Sequence, residues 1–441
     1  LPTYTKQKKR GSTLIEVLIA ITIIGIVFAA VFAIFRMVIQ SSAISEARTT
    51  ATGIANQQME TIRNLPYSDI GTTGGWPQGS IPSTQTKAVD NVTYTINTSV
   101  NYFDDPFDDV VPIDTLGADY KKVKVAVIWD KFYNNTPVVL NTDISPQGIE
   151  ETEVPGGVLA IMVFDANNQP VPGATIQVNN SFLGLSFSDT TNADGKRVFY
   201  ALTPDSDANY TIQVTKGGYT SDYTSELTIE LPDPDNPHRS IFEEQVEEAS
   251  FTIDLVSSLT VKAQDDGGTP MPNIPLTITG ERQLGMDGGD PARPVPRNKF
   301  EGQSTDGAGQ LVLSNIEWDS YDTTEEDANL DIAEINPPNP NNVAPNDNRT
   351  TIITLVGHAD HTLRIVVHDN DDAVLADASV RLYGNGFDET KQTGAAGQVF
   401  FTPLQAMTYT LEISKTGYID FSDPTDVSDQ TVREIIMASQ S

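Results

Sequence analysis

Two residues carry chemistry in their placement, Gly11 and Glu16. Glu16 is a carboxylate two residues into an apolar run, residues 14–35, otherwise interrupted only by Thr22. A charge at the centre of a membrane-length helix costs ~2.5–3.5 kcal/mol on insertion scales, and less near an end. A plain anchor has no use for it. A subunit that pairs the carboxylate with a cation on a neighbour does. Gly11 lies three residues before the run and directly after the basic cluster Lys6, Lys8, Lys9 and Arg10. It is the candidate processing site. A secretory signal has an apolar region of about 7–15 residues with its cleavage site behind it. Here the run is longer and the glycine precedes it, so that reading fails.

Other chemistries find little material. The chain has no cysteine, which excludes disulfides, thiolate catalysis and Cys-ligated metals. Of the four histidines, His238, His358, His361 and His368, only His358 and His361 lie close together. They flank Asp360 in a short linker, and the reading is exposed loop histidines. Asp104, Asp105, Asp108 and Asp109 could in principle ligate calcium, but their spacing matches no calcium loop and they read as a solvated acidic loop. Asp194-Gly195 and its like read as turns, where Gly supplies a positive φ. No nucleophile elbow, zinc-protease helix or phosphate loop is present. The expectation is no enzyme, no cofactor and no metal. With 60 acidic against 27 basic residues and a net charge of -33, the chain has no basic stripe to bind nucleic acid.

The element that must position Glu16 is a helix. Residues 14–35 number 22, long enough at ~33 Å to cross a bilayer core. The basic cluster before them keeps the N-terminus cytoplasmic and sends the rest outside. Beyond Arg36, Ile44, Ala47, Ala51, Ile54, Ala55, Met59, Ile62 and Leu65 recur by threes and fours, one face of an amphipathic helix. Pro66 ends it. The expected helix, 12–65, is greasy all round in its first half and striped in its second. Leu1 stands where Met is usual, as a non-standard start codon or a missing beginning would give.

Gly11-Ser12-Thr13-Leu14-Ile15-Glu16-Val17-Leu18-Ile19-Ala20 resembles the leader junction of type IV prepilins and pseudopilins. The resemblance implies that a prepilin peptidase cuts after Gly11 and methylates the new N-terminus, Ser12. It implies that Glu16, the fifth mature residue, neutralises the terminal amine of an adjacent pilin subunit during assembly. Ser12 stands where the family usually has an aromatic residue or Met; cleavage rests chiefly on Gly11. Filaments of this family are often melted near Gly25, with a Pro eight residues later; Ala33 stands there, so melting should be milder. The stretch 55–67 looks like that of minor pilins and minor pseudopilins.

Residues 66–150 read as a small β head: Val123, Val125, Val127 and Trp129 alternate with Lys122, Lys124, Ala126 and Ile128. After a linker, repeats begin. Strand-like runs at 157–165, 258–263 and 362–367 are each followed by a second run, at 169–178, 270–278 and 375–382. A glycine turn and a third run come next: Asp194-Gly195, Asp306-Gly307 and Gly397. The first and third repeats also share Tyr210 to Tyr219 and Tyr409 to Tyr418 as similar peptides. The pattern resembles carboxypeptidase-regulatory-like and collagen-adhesin B-type domains, which implies three antiparallel transthyretin-like β-sandwich domains. Some adhesin domains carry a Lys–Asn crosslink, but Lys262 should point outward between Val261 and Ala263. The middle repeat adds a Gly/Pro/Arg-rich insertion at 285–296 and a long 335–345 loop, each readable as a binding loop or a disordered connector.

The fold expectation is therefore α+β and all-β: a long transmembrane and amphipathic helix with a small β head, then three sandwiches. The boundaries are 1–11 leader, 12–65 helix, 66–150 head, and 157–256, 257–357 and 361–441 for the sandwiches. The expected function is a minor pilin-like subunit, of low copy number because bulky extensions crowd a filament. It starts in the inner membrane and ends on an extracellular pilus or the cell surface, displaying the sandwiches to a surface ligand that the residues do not specify. The alternatives are a minor pseudopilin of a type II secretion-like system and a non-polymerising, membrane-anchored adhesin.

Overall fold

The computed structural model describes residues 14–103, 119–131, 136–146 and 156–440. They fall into two compact units, split between Pro155 and Gly156.

In the first unit a single helix, α1, runs from Leu14 to Arg63. Its 50 residues span ~75 Å. It ends two residues before the expected Leu65, where the chain turns toward Pro66. The helix is continuous through Gly25. The one hydroxyl in its apolar half, on Thr22, donates to Leu18 O at 2.8 Å, which satisfies it without a partner helix. Four strands follow as an antiparallel meander: β1 (Thr84–Val89), β2 (Val92–Phe103), β3 (Tyr120–Trp129) and β4 (Val138–Ile144). The stripe read from the sequence is the packing face: Ala47, Ala51, Ile54, Ala55, Met59 and Ile62 are buried against Tyr94, Ile96, Val123, Val125, Val127 and Trp129. The small alanines let helix and sheet approach closely. The period of 3.6 on one partner meets the period of 2 on the other.

The second unit is almost entirely strand. In the first repeat, 156–256, one sheet has Gly157–Phe164 between Val246–Thr252 and Lys196–Leu202; the other is built on Thr175–Asn180 and Asp205–Thr215. The next repeat centres on Ser257–Asp265 and Pro275–Gly280, and the last on Thr362–Asp369 and Ser379–Gly384. In the latter two, residues from both sheets form one core, with Leu259, Val261, Leu276 and Ile278 in one and Leu363, Ile365, Val380 and Leu382 in the other.

Most pairs are antiparallel, as expected, but each repeat adds one that is not. The first and last strands of a repeat run parallel: Val158 beside Val246, Ser258 beside Asn348 and Thr362 beside Gln430.

The repeats share backbone chemistry as well as sequence. Val163, Ala263 and Val367 each donate a backbone N–H, to Gly195 O, Gly309 O and Gly397 O respectively. These three glycines have φ of +68°, +70° and +67°, and a Cβ on any of them would lie 2.6–2.8 Å from the facing carbonyl. In the middle repeat the glycine that fills this place is Gly309, not Gly307 of the Asp-Gly pair. A threonine clamps the neighbouring turn in each copy. Thr191, Thr305 and Thr393 accept from Ala174, Ile274 and Ala378 N–H and donate to Val171, Met271 and Leu375 O. All three threonines are buried.

Candidate functional site

Glu16 lies in the first described turn of α1. Around it the apolar side chains stand free: Leu14 is 84% exposed and Phe28 73%. The helix is long and apolar enough to cross a membrane. Gly11 and Ser12 lie outside the described residues, as do Asp104, Asp105, Asp108 and Asp109. Among the described residues, Glu16 has neither an ion pair nor a hydrogen bond.

The head holds a residue that sequence pattern alone does not flag. Lys121 has the inward parity of Val123 and Val125 on β3 and is 1% exposed. Its ammonium donates to Tyr67 O at 2.7 Å and lies 4.3 Å from the Tyr67 ring centre. Burial lowers its pKa to about 8, with Asp69 pulling the other way. Burial also pushes the neighbouring Tyr102 phenol upward. Lys121 thus pins the turn after α1 onto the sheet.

In the second unit, polar side chains concentrate where repeats meet. At the first junction the middle repeat's insertion is neither loose connector nor open loop. It folds into two short strands, Gln283–Met286 and Pro294–Pro296, and Gln283–Met286 pairs with Asp233–Pro234 of the preceding repeat. Gly285 makes that approach possible: its φ is +146°, and a Cβ there would lie 2.2 Å from Asp233 O. Just beyond, Arg297 reaches three groups. Nε meets Glu317 at 2.9 Å, one terminal nitrogen meets Asp222 at 3.0 Å, and the other donates to Ser221 O at 2.9 Å. Burial opposes the charge on Arg297, but Glu317 and Asp222 outweigh it and raise the pKa. Arg282 also bonds Glu317. Asp222 in turn accepts from Thr252 N at 2.8 Å.

The second junction uses amides. The buried Gln398 side chain mimics a strand: its oxygen accepts from Ile335 N at 3.0 Å and its nitrogen donates to Ile335 O at 2.9 Å. The 335–345 stretch is likewise built in, since Asn341–Val343 pairs with Asp319–Glu325. Asp331 accepts from Ala359 N at 2.9 Å and from Gln430, and lies 2.9 Å from His358 Nδ1. The hydrogen bond to Asp331 raises the His358 pKa, against a smaller opposing effect of burial. His358 is an exposed loop histidine, as expected, and its contact with Asp331 ties that loop to the junction. Among the described residues no group of three or more His, Cys, Asp or Glu could hold a metal ion. Lys262 is exposed between buried Val261 and Ala263, as expected. The aspartates that open the repeat loops, Asp165, Asp265 and Asp369, each accept two backbone N–H groups of their own turns.

Two family descriptions match the chain. The prokaryotic N-terminal methylation motif covers residues 6–32. The carboxypeptidase regulatory-like domain covers residues 158–238, within the first repeat. Both agree with the resemblances read from the sequence, and each spans a minor part of the 441 residues. No curated protein matches. Among solved structures, the Bacillus anthracis TIE protein is 15% identical with a TM-score of 0.19, over 82% of this chain and 61% of that one. This chain thus spans about three fifths of that protein's length. The minor pilin GBS52 of Streptococcus agalactiae is 13% identical with a TM-score of 0.17, over 42% of this chain and 97% of that one. A streptococcal ancillary pilin is 12% identical with a TM-score of 0.16, over 65% of this chain and 99% of that one. Likeness at these scores carries no argument about function.

Proposed function

We propose that this chain is a minor type IV pilin-like subunit. Prepilin peptidase cleaves it after Gly11 and methylates Ser12, and it enters a pilus by pairing Glu16 with the terminal amine of a neighbouring subunit. The observation that carries this reading is one helix with two different halves. The methylation motif and an exposed apolar segment occupy its start, while its outer half is buried on a four-stranded sheet. A plain anchor needs no carboxylate at position 16 and no rigid continuation into a head.

The rest of the chain is the payload. Residues 66–150 form the head, and 157–256, 257–357 and 361–441 form three transthyretin-like sandwiches, displayed outside the cell for adhesion or surface interaction. The leader, 1–11, stays cytoplasmic before cleavage, and the unassembled subunit waits in the inner membrane.

Mass spectrometry of the native N-terminus tests the processing: the mature chain should begin at Ser12. An intact leader on protein from filament-free membranes overturns it. Glu16→Ala tests assembly. The variant should remain in the membrane and vanish from sheared surface filaments, and unchanged recovery in filaments rejects the role of the carboxylate.

A further inference from the structure

The hairpin at the edge of the third repeat is closed by a chemically reactive pair. Ser379–Gly384 and Phe387–Gln392 run antiparallel with Gly384 opposite Phe387, so Asn385 and Gly386 alone make the turn. Their φ values are +44° and +89°. Asn-Gly is a favoured pair where both loop residues need positive φ, so the fold explains why the pair is there. The same choice leaves it open to reaction. Asn-Gly occurs nowhere else in the 441 residues.

Asn385 lacks the restraints that other asparagines of this unit have. Asn180, at the corresponding turn of the first repeat, is fully buried, donates to Asp205 at 2.7 Å and accepts from Leu183 N at 3.0 Å. Asn192 is exposed, but its side-chain oxygen accepts from Asp194 N and Lys196 N. The middle repeat has its 283–296 insertion at this turn. The Asn385 side chain is exposed and makes no hydrogen bond among the described residues. Gly386 N–H also has no partner among them, and a Cβ placed on Gly386 would meet nothing within 4 Å. A carboxamide carbon and the next backbone nitrogen are thus adjacent, unengaged and open to water.

We propose that Asn385 is a site of spontaneous deamidation, and that this reaction loosens the edge hairpin of the third repeat as the protein ages. Gly386 N loses its proton and attacks Asn385 Cγ. The new N–C bond closes a five-membered succinimide, and the side-chain nitrogen leaves with a proton as ammonia. Water then opens the ring. Breaking the new N–Cγ bond gives aspartate; breaking the original peptide bond gives isoaspartate, with the chain now running through Cβ and Cγ. Water is consumed, ammonia is released, and nothing is oxidised or reduced.

Isoaspartate adds a backbone carbon to a loop whose length selects the turn. The strand that the turn must hold, Phe387–Gln392, is at the sheet edge and pairs on one side only. Phe387 packs edge-on to the Tyr409 ring at 5.7 Å and against the core of the repeat. A lost register at the turn therefore reaches the core through Phe387. This inference does not depend on how the N-terminus is processed.

The test ages the full chain in detergent at neutral and mildly alkaline pH and follows each asparagine by tandem mass spectrometry, with isoaspartate methyltransferase labelling for the isomer. Asn346 is the internal comparison: it is exposed and has φ +58°, but Asp347 follows it. Conversion at Asn385 should outpace that at Asn346 severalfold and quicken as pH rises, since the attacking nitrogen must lose its proton. Asn385→Gly keeps a turn-forming pair without the carboxamide, so labelling at this turn should vanish. Hydrogen exchange across Phe387–Gln392 should quicken with age in the parent and stay constant in Asn385→Gly. Conversion no faster than at Asn346, or no faster at higher pH, would overturn the site. Unchanged exchange in fully converted protein would overturn the loosening.

Discussion

The two junctions of the second unit are built from opposite materials. The first is ionic: Arg297 gathers Glu317, Asp222 and a backbone carbonyl, and an inserted hairpin ties the repeats with strand pairing. The second is amide-based: Gln398 imitates a strand, Asp331 collects neutral donors and a histidine, and Arg364 beside them stays unpaired. The second junction responds to protons through His358 and Glu325. The same scaffold therefore joins its repeats with charge at one junction and with amides at the other.

The sharpest way to break this contrast is Arg297→Met. It takes the cation from buried Asp222 and leaves Glu317 only Arg282, and removing one partner of a buried ion pair costs about 3–5 kcal/mol. Denaturant unfolding should show that loss, and a change below about 1 kcal/mol would mean the network is decorative. Gln398→Leu should come next. It leaves the Ile335 N–H and C=O without partners, at about 1–3 kcal/mol for an unsatisfied buried group, and hydrogen exchange at Ile335 should accelerate while the first junction stays protected. Gly285→Ala puts a Cβ into Asp233 O, and such backbone strain costs about 1–3 kcal/mol. Its effect should stay confined to the hairpin and its partner strand, visible as faster exchange at Asp235.

The smallest effect is a pH dependence confined to the second junction. His358 has a raised pKa in the folded chain, so its contribution is fully present below its unfolded value near 6.5 and is lost as pH rises through the folded one. Glu325 is raised from 4.5 to about 7, so its ionisation weakens the folded state progressively across that interval. Both act in one direction. Exchange at Ile335, corrected for intrinsic rate, should rise as pH goes from about 5 to about 8, and Asp331→Asn should flatten the His358 part. Equal pH sensitivity at both junctions would erase the distinction.

What the sequence reveals depends on how local the physics is. The helix stripe from Ala47 to Ile62 and the alternation from Val123 to Trp129 are legible, because periods of 3.6 and 2 are written into neighbouring residues. Lys121 obeys the same alternation but escapes notice, since a lysine on the inward parity is discounted unless its carbonyl partner is known. The 283–296 hairpin looks like a loop by composition, because the strand it pairs with, Asp233–Pro234, lies some fifty residues earlier. Gly309 is overshadowed by the more familiar Asp306-Gly307 pair two residues away. The three clamp threonines emerge only when the repeats are superposed by their hydrogen bonds. Of the proposed assembly site, Glu16 is legible as a charge out of place, within the 6–32 span of the methylation-motif match. Arg364 gives no sign in the sequence, because what marks it is the absence of a partner.

The parallel pairing of the first and last strands in each repeat has a mechanical consequence. A chain that enters along one strand and leaves along its parallel neighbour exits at the opposite end of the repeat. Tension on the two ends therefore pulls those strands lengthwise past each other, so the ladder from Val246 to Thr252 beside Val158 to Phe164 bears load along its whole length. Such a force cannot peel the ladder open one rung at a time. A tether built this way yields all at once or not at all.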